Sequence, residues 1–377
     1  MSIRQMFPGS IVKPGFNPLA AQTPTILYNL FGWGSNANGQ LGLGNTTDYS
    51  SPIQSGGSTN WLKISAGSYR TFSIKTDGTL WAWGQNGNGQ LGLNNLTYYS
   101  SPKQVGALTN WSLVSAGSNS TLAIKTDGSL WAWGVDNMGQ LGQGTTINRS
   151  SPVQIGTLTS WSKISSGVSV SLAIKTDGTI WSWGNGLLGA LGLGNTTSYS
   201  SPKQIGALTN WLNVSSTYAT TFAIKTDGTI WGWGWNGYGQ LGIGNTTNYS
   251  SPKQVGALTT WASVSQMYYS AGTLAIKTDG TLWAWGRGAQ GQLGLGNTTN
   301  YSSPKQVGAL TTWLQTVCGY RNTSAIKTDG TLWSWGAGTA GALGLGNITD
   351  YSSPKQVGAS TTWTTVTSGS YFKIALG

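Results

Sequence analysis

A chain of 377 residues with only 8% charged, a net charge of +11, no Glu and no His leaves little room for catalytic chemistry. All nine acids are Asp, and six recur at one turn position, so a paired-carboxylate site, a His base, a zinc site or a Ser-His-Asp triad lacks its residues. The single cysteine, Cys318, excludes an intrachain disulfide, and no apolar run is long enough to span a membrane.

From the N-terminus, residues 1–24 stand apart. They hold four of the eleven prolines (Pro8, Pro14, Pro18 and Pro24) and none of the pattern that follows. Proline at this density favours an extended arm, with Met6, Phe7, Phe16 and Leu19 as apolar anchors. Such a segment is expected to be a disordered tail, a strap over the body of the protein, or an arm that docks it onto a larger assembly. The basic, apolar and cleavage-site succession of a signal peptide is missing, which leads to the expectation of synthesis in the cytoplasm.

Residues 25–377 form one repeating domain. The signature Trp-Gly-(four residues)-Gly-Gln/Ala-Leu-Gly recurs with its Trp at positions 33, 83, 133, 183, 233, 285 and 335, so every step is 50 residues except one of 52. A fixed period of this length means supersecondary units that bury their faces only against neighbours. Residues 79–128 exemplify the unit. Thr79-Leu80-Trp81-Ala82-Trp83 reads as a strand with aromatics on one face and Leu80 and Ala82 on the other. The small residue between the two Trp is expected to let a neighbouring sheet approach closely. Gly84 to Gly92 is a loop, and Ser100 to Val105 a short edge strand marked by Pro102. Trp111–Ser115 and Thr121–Lys125 are two further strands, and Thr126-Asp127-Gly128 is the hairpin turn into the next unit. Four short strands and no helical period predict an all-β propeller of seven four-stranded blades.

The chain ends predict how the ring closes. The last unit stops before its Trp-x-Trp strand, and the first begins with that piece, Tyr28-Asn29-Leu30-Phe31-Gly32-Trp33. One blade is therefore expected to pair N- and C-terminal strands, hiding the edges an open sheet would expose. Most of the 21 Trp are assigned to this framework. Each buries about 150–250 Å², roughly 4–6 kcal/mol gross, much of it offset by chain entropy. Cys318 falls in the small-residue slot of Ala66 and Ala116 and is expected to be packed there. Lys75 and its equivalents are expected to neutralise the turn Asp two residues on. The surplus charge then comes from Lys103, Lys203, Lys253, Lys305 and Lys355, which should form a basic circle.

The succession Trp-Gly-x4-Gly-Gln-Leu-Gly, Ser-Pro-x-Gln-Val, Val-Ser-Ala-Gly and Leu-Ala-Ile-Lys-Thr-Asp-Gly-Thr-Leu-Trp-Ala-Trp-Gly resembles the regulator-of-chromosome-condensation repeat, over about residues 25–377. The resemblance implies a seven-bladed propeller and is closest to the near-identical repeats of bacterial and bacteriophage members. Three features of the family are missing. No His follows Ala-Gly, where this chain has Ser68-Tyr69-Arg70, Ser118-Asn119-Ser120 and Val168-Ser169-Val170. The acidic, extended loops of members that exchange nucleotide on small GTPases are absent. So is the Gly-Trp-Arg-His-Thr motif of the plant ultraviolet photoreceptor.

A site is expected where the units differ, since repeated residues serve the ring. One variable stretch follows Trp-Gly and contains Trp235, Tyr238 and Arg287. The other follows the Val-Ser strand and contains Tyr69, Arg70, Tyr218, Tyr268, Tyr269, Tyr320 and Arg321; the two-residue insertion falls within it, near Gln266–Gly272. Tyr and Trp beside Asn and Arg suit sugar or protein recognition. The Gly-rich loops lack the phosphate-binding pattern, and the scattered arginines argue against specific nucleic-acid binding. These observations lead to the expectation of a non-enzymatic virion protein of a bacteriophage, without cofactor. It would join other virion proteins through its N-terminal arm and contact a host surface glycan. The alternatives are a bacterial cytoplasmic interaction scaffold and, more remotely, a GTPase exchange factor.

Overall fold

The computed structural model describes residues 28–377, so the arm anchors Met6, Phe7, Phe16 and Leu19 lie outside the described residues. Seven four-stranded antiparallel sheets succeed one another around a central channel. Blade 1 runs from the innermost strand Trp61–Ala66 through Arg70–Lys75 and Leu80–Gly84 to the outer edge Tyr99–Gln104. Blades 2 to 6 repeat this order, with innermost strands beginning at Trp111, Trp161, Trp211, Trp261 and Trp313. Blade 7 is the composite that the chain ends predict. Thr365–Ser368 and Phe372–Leu376 supply its inner half, Leu30–Gly34 and Tyr49–Gln54 its outer half. Leu30–Gly34 pairs with the C-terminal strand over its whole length, from Leu30 opposite Leu376 to Gly34 opposite Phe372.

The core lies between blades. Leu80, Ala82, Leu91 and Val105 of blade 1 meet Trp111, Ala123 and Trp133 of blade 2, and the same exchange recurs around the ring. Trp33 and its six equivalents are fully buried. Trp111 packs on both Trp131 and Trp133 with ring centroids 6.0 Å apart. Cys318 is buried at the end of its innermost strand, in register with Ala66 and Ala116, and burial pushes its thiol up to about 11.

The repeated turn works differently from the expected Lys–Asp neutralisation. Asp77 accepts from the Thr79 amide and hydroxyl at 2.9 and 2.6 Å, and the Trp81 indole N–H donates to the Thr79 oxygen at 2.8 Å. These bonds, ahead of the charge of Lys75, hold the carboxyl below its usual range. Lys75 instead lies over the rings of Trp81 and Trp61, with Nζ 4.3 and 4.7 Å from their centroids. Glycine is required where one blade's loop touches the next blade's edge strand. At Gly39, with φ +77°, a Cβ would stand 2.4 Å from the Cα of Ser100.

Candidate functional site

In each blade the innermost and third strands run the same way, so the two variable stretches that follow them emerge on one face of the ring. The Asp-Gly turns join second to third strands on the opposite face. Around the channel, backbone bonds stitch neighbouring blades together. The amides of Ser118, Val168, Tyr268, Tyr320 and Ser370 donate to Gly167, Thr217, Gly319, Ser370 and Ser68 at 2.9–3.1 Å.

On this rim the aromatic residues assemble into one continuous arc. Tyr238 meets Trp235 at 5.6 Å between ring centroids, Trp235 meets Tyr218 at 6.5 Å, and Tyr218 meets Tyr269 at 5.4 Å. Tyr269 continues to Tyr320 at 6.3 Å, and Tyr320 to Tyr371 at 5.2 Å. Arginines flank the arc: Arg287 lies over Tyr238 and Arg321 over Tyr320, with Cζ 5.0 and 4.8 Å from the rings. Tyr218 and Tyr269 are the most open members, 41% and 40% exposed.

The insertion explains how residues of separate blades come together. In blade 5 it lengthens the turn after Trp261–Gln266 and carries Tyr268 and Tyr269 across the channel mouth. The Tyr269 hydroxyl comes within 3.4 Å of the Ser118 hydroxyl, three blades away. Tyr268 is buried beside Ser68, Ser118 and Arg70, and burial raises its hydroxyl pKa above the usual tyrosine value. Tyr269 and Ala271 hold φ of 58° and 57°. That strain, of order 1–3 kcal/mol per residue, is sustained by the packing of Tyr268. An open depression of about 620 Å³ remains, lined by Tyr69, Tyr269, Tyr320 and Tyr371 with the polar groups of Gln85, Asn119, Ser68, Ser118 and Ser370.

Two residues assigned to the site from the sequence are not available to a partner. Arg70 is fully buried: its guanidinium donates to the Ser118 carbonyl and, at 2.8 Å, to the Ser120 carbonyl of the next blade. Desolvation pushes its pKa down to about 10. Opening the second strand of blade 1, Arg70 is directed under the neighbouring turn, so it braces the rim. Tyr268 is likewise buried, packed against Tyr269 at 5.3 Å between ring centroids, and does not line the depression. Conversely, Tyr371, Asn119 and Gln85 belong to the depression. Each falls in a variable stretch, which was the available signal.

Lys103, Lys203, Lys253, Lys305 and Lys355 are exposed on the outer edge strands, away from the arc. Each ammonium lies 5.3–5.8 Å from the ring of the Tyr that opens its strand. The circle is interrupted, because Ile53 and Val153 occupy the same register in blades 7 and 2. Between blades, grooves of about 390 and 400 Å³ repeat the same lining; in one, Leu310, Trp313, Lys327 and Trp333 face Ser353 and Pro354. Among the described residues no group of three or more His, Cys, Asp or Glu is placed to hold a metal ion, and no helix is long and apolar enough to cross a membrane.

The sequence profile of the RCC1-like domain matches residues 29–375, the ring from its first strand to its last. The chain belongs to the RCC1-like domain family. Among solved structures, this RCC1-like propeller is similar to human WBSCR16, with a TM-score of 0.83 at 21% identity over 93% of this chain and 98% of that one. Prp20p from Saccharomyces cerevisiae, described with its binding to Gsp1p and histones, gives 0.82 at 21% identity over 93% and 91%. The same yeast protein bound to Kap60 gives 0.82 at 19% identity over 100% and 96%. At these identities the likeness concerns the fold alone. No curated protein sequence matches this RCC1-like chain.

Proposed function

We propose that this RCC1-like propeller is a non-enzymatic binding protein that takes a surface glycan on the aromatic arc, and that it is displayed on a bacteriophage particle through its N-terminal arm. One observation carries the binding reading. Residues that break the repeat, scattered from Tyr69 to Tyr371, converge on a single rim beside a depression with hydroxyl and amide linings. Exposed flat rings with polar handles suit sugar faces, which stack on aromatic carbon and present hydroxyls at the edge. The display reading rests on the phage-like near-identity of the repeats and on the Pro-rich composition of residues 1–24.

A glycan array with the full chain tests the site. Tyr218→Ala and Tyr269→Ala should each weaken binding about tenfold, roughly 1.4 kcal/mol, with the melting temperature within a few degrees of the parent. Glycan binding that survives both substitutions undiminished would remove the arc as the site. Mass spectrometry of purified particles tests display, and absence of the chain from virions would end that reading. A second reading, a protein-docking scaffold, draws on Prp20p and its binding to Gsp1p and histones; capture of a protein partner by the same arc would favour it.

A further inference from the structure

Most of the chain's carboxylates lie away from the arc. Six of the nine Asp sit in the Asp-Gly turns on the opposite face, and Asp136 is buried. The remaining two, Asp48 and Asp350, stand just before outer edge strands, where they accept the amides of Asn36 and Gly338 at 2.6 and 2.8 Å. Both end loops on the arc's own face, but their bonds go to these backbone amides and not to an arginine. Arg287 and Arg321 each hold the guanidinium over a Tyr ring, with Cζ 5.0 and 4.8 Å from the centroid, which supports the charge without neutralising it. Arg321 donates to the Tyr320 hydroxyl at 3.4 Å, and its Nε, enclosed, has no hydrogen-bond partner among the described residues.

Resting on the glycan reading of the arc, we propose that its ligand is an acidic oligosaccharide, a chain of sugars bearing carboxylates, with Arg321 and Arg287 as its two anion anchors. A carboxylate matches the fork of a guanidinium, and a guanidinium held over a ring loses less freedom on pairing than an unsupported one. Four ring-to-ring steps of 5.4–6.5 Å separate Tyr238 beneath Arg287 from Tyr320 beneath Arg321. A chain of sugars laid along these steps reaches both anchors. The intervening Tyr218, Tyr269 and Trp235 supply faces for the uncharged parts of the rings.

Isothermal titration of the full chain with oligogalacturonate, the same oligosaccharide after carboxyl reduction, and heparin fragments separates the possibilities. Oligogalacturonate is expected to bind, the carboxyl-reduced form to bind at least tenfold more weakly, and affinity to fall as salt rises. Arg321→Gln and Arg287→Gln should each cost about tenfold with an unchanged melting temperature. Lys305→Gln, which removes equal charge from the outer edge, should cost less than twofold. Equal binding of native and carboxyl-reduced sugars, or equal losses from Arg321→Gln and Lys305→Gln, would overturn the anion anchors while leaving the arc a neutral-glycan site. Heparin binding without oligogalacturonate binding would overturn the carboxylate assignment. If none of these sugars bind and a glycan array is blank, both this inference and the glycan reading beneath it fail.

Discussion

Asp136 takes the place that Asn36, Asn86 and Asn236 hold in other blades. Asn36 accepts the Leu41 amide at 2.9 Å and donates Nδ2 to the Asn45 carbonyl at 3.0 Å. Asp136 keeps the first bond, from Leu141 at 2.8 Å, but has nothing to donate; its Oδ2 and the nearby Thr145 hydroxyl of the same loop both lack partners. Burial, opposed by that amide bond and the charge of Arg149, pushes its pKa up to about 6. The native state thus holds a proton that the unfolded chain has released between about pH 4 and about pH 6. Stability falls as pH rises through that window, and the penalty is complete above it. Asp136→Asn restores the donor and should gain about 1–3 kcal/mol at neutral pH and nothing below about pH 4, measured by urea unfolding. An equal gain at both pH values would contradict the titration argument. The fate of Arg70 is the counterpart at this scale: its neighbours in the sequence marked it as a variable surface residue, and only the packing of blade 2 over it makes it structural.

At the scale of elements, the closing strand Phe372–Leu376 departs from its six equivalents at one position. Thr71, Thr121, Ser171, Thr221, Thr273 and Thr323 each donate a hydroxyl to a loop carbonyl of the preceding blade, and that carbonyl also accepts a Trp indole N–H, as Gln40 does from Thr71 and Trp83. In blade 7 the position is Lys373. Its ammonium turns to Asn322 and, at 2.6 Å, to Ser368, and Trp33 Nε1 is left without a partner. Desolvation, eased by nearby Cys318, pushes the Lys373 pKa down to about 7. The unfolded chain then binds the extra proton between about pH 7 and about pH 10.4, so stability rises with pH across that range. Lys373→Thr should raise stability by about 1–3 kcal/mol at or below neutral pH, after the cost of lost volume. Thermal melts across pH should show the gain vanishing towards pH 10; a variant no more stable than the parent at neutral pH would refute it. The strands themselves were legible because alternation, turn residues and period agreed. Short 3₁₀ turns at Leu187–Gly189 and Thr339–Gly341 were not. They arise where Ala190 and Ala342 replace the Gln whose Oε1 elsewhere holds the amide two residues earlier, as Gln40 holds Asn38 at 2.9 Å.

For the whole molecule, closure is the cooperative event, because every blade buries its Trp face only against its neighbour. Leu30–Gly34 sits between Phe372–Leu376 and Tyr49–Gln54, and Trp33 is fully buried in the junction with blade 6. Removing residues 25–33 should strip the C-terminal strand of its partner and drive aggregation, read by size-exclusion chromatography and thermal melting. A monomer with the parent melting temperature would show that the ring does not need its seam.

The sequence by itself determined the number of blades, their strand order, the composite seam and which stretches vary between blades, because each follows from local alternation, turn chemistry and a period of fixed length. Tertiary structure alone decided which variable residues form a surface. Tyr269 and Ser118 meet across the channel although 151 positions separate them, and Arg70 and Tyr268 disappear beneath that crossing. Curvature of the ring brings equivalent turns to one mouth, and the packing of each turn against the next blade decides whether its side chain is spent on the ring or left for a ligand.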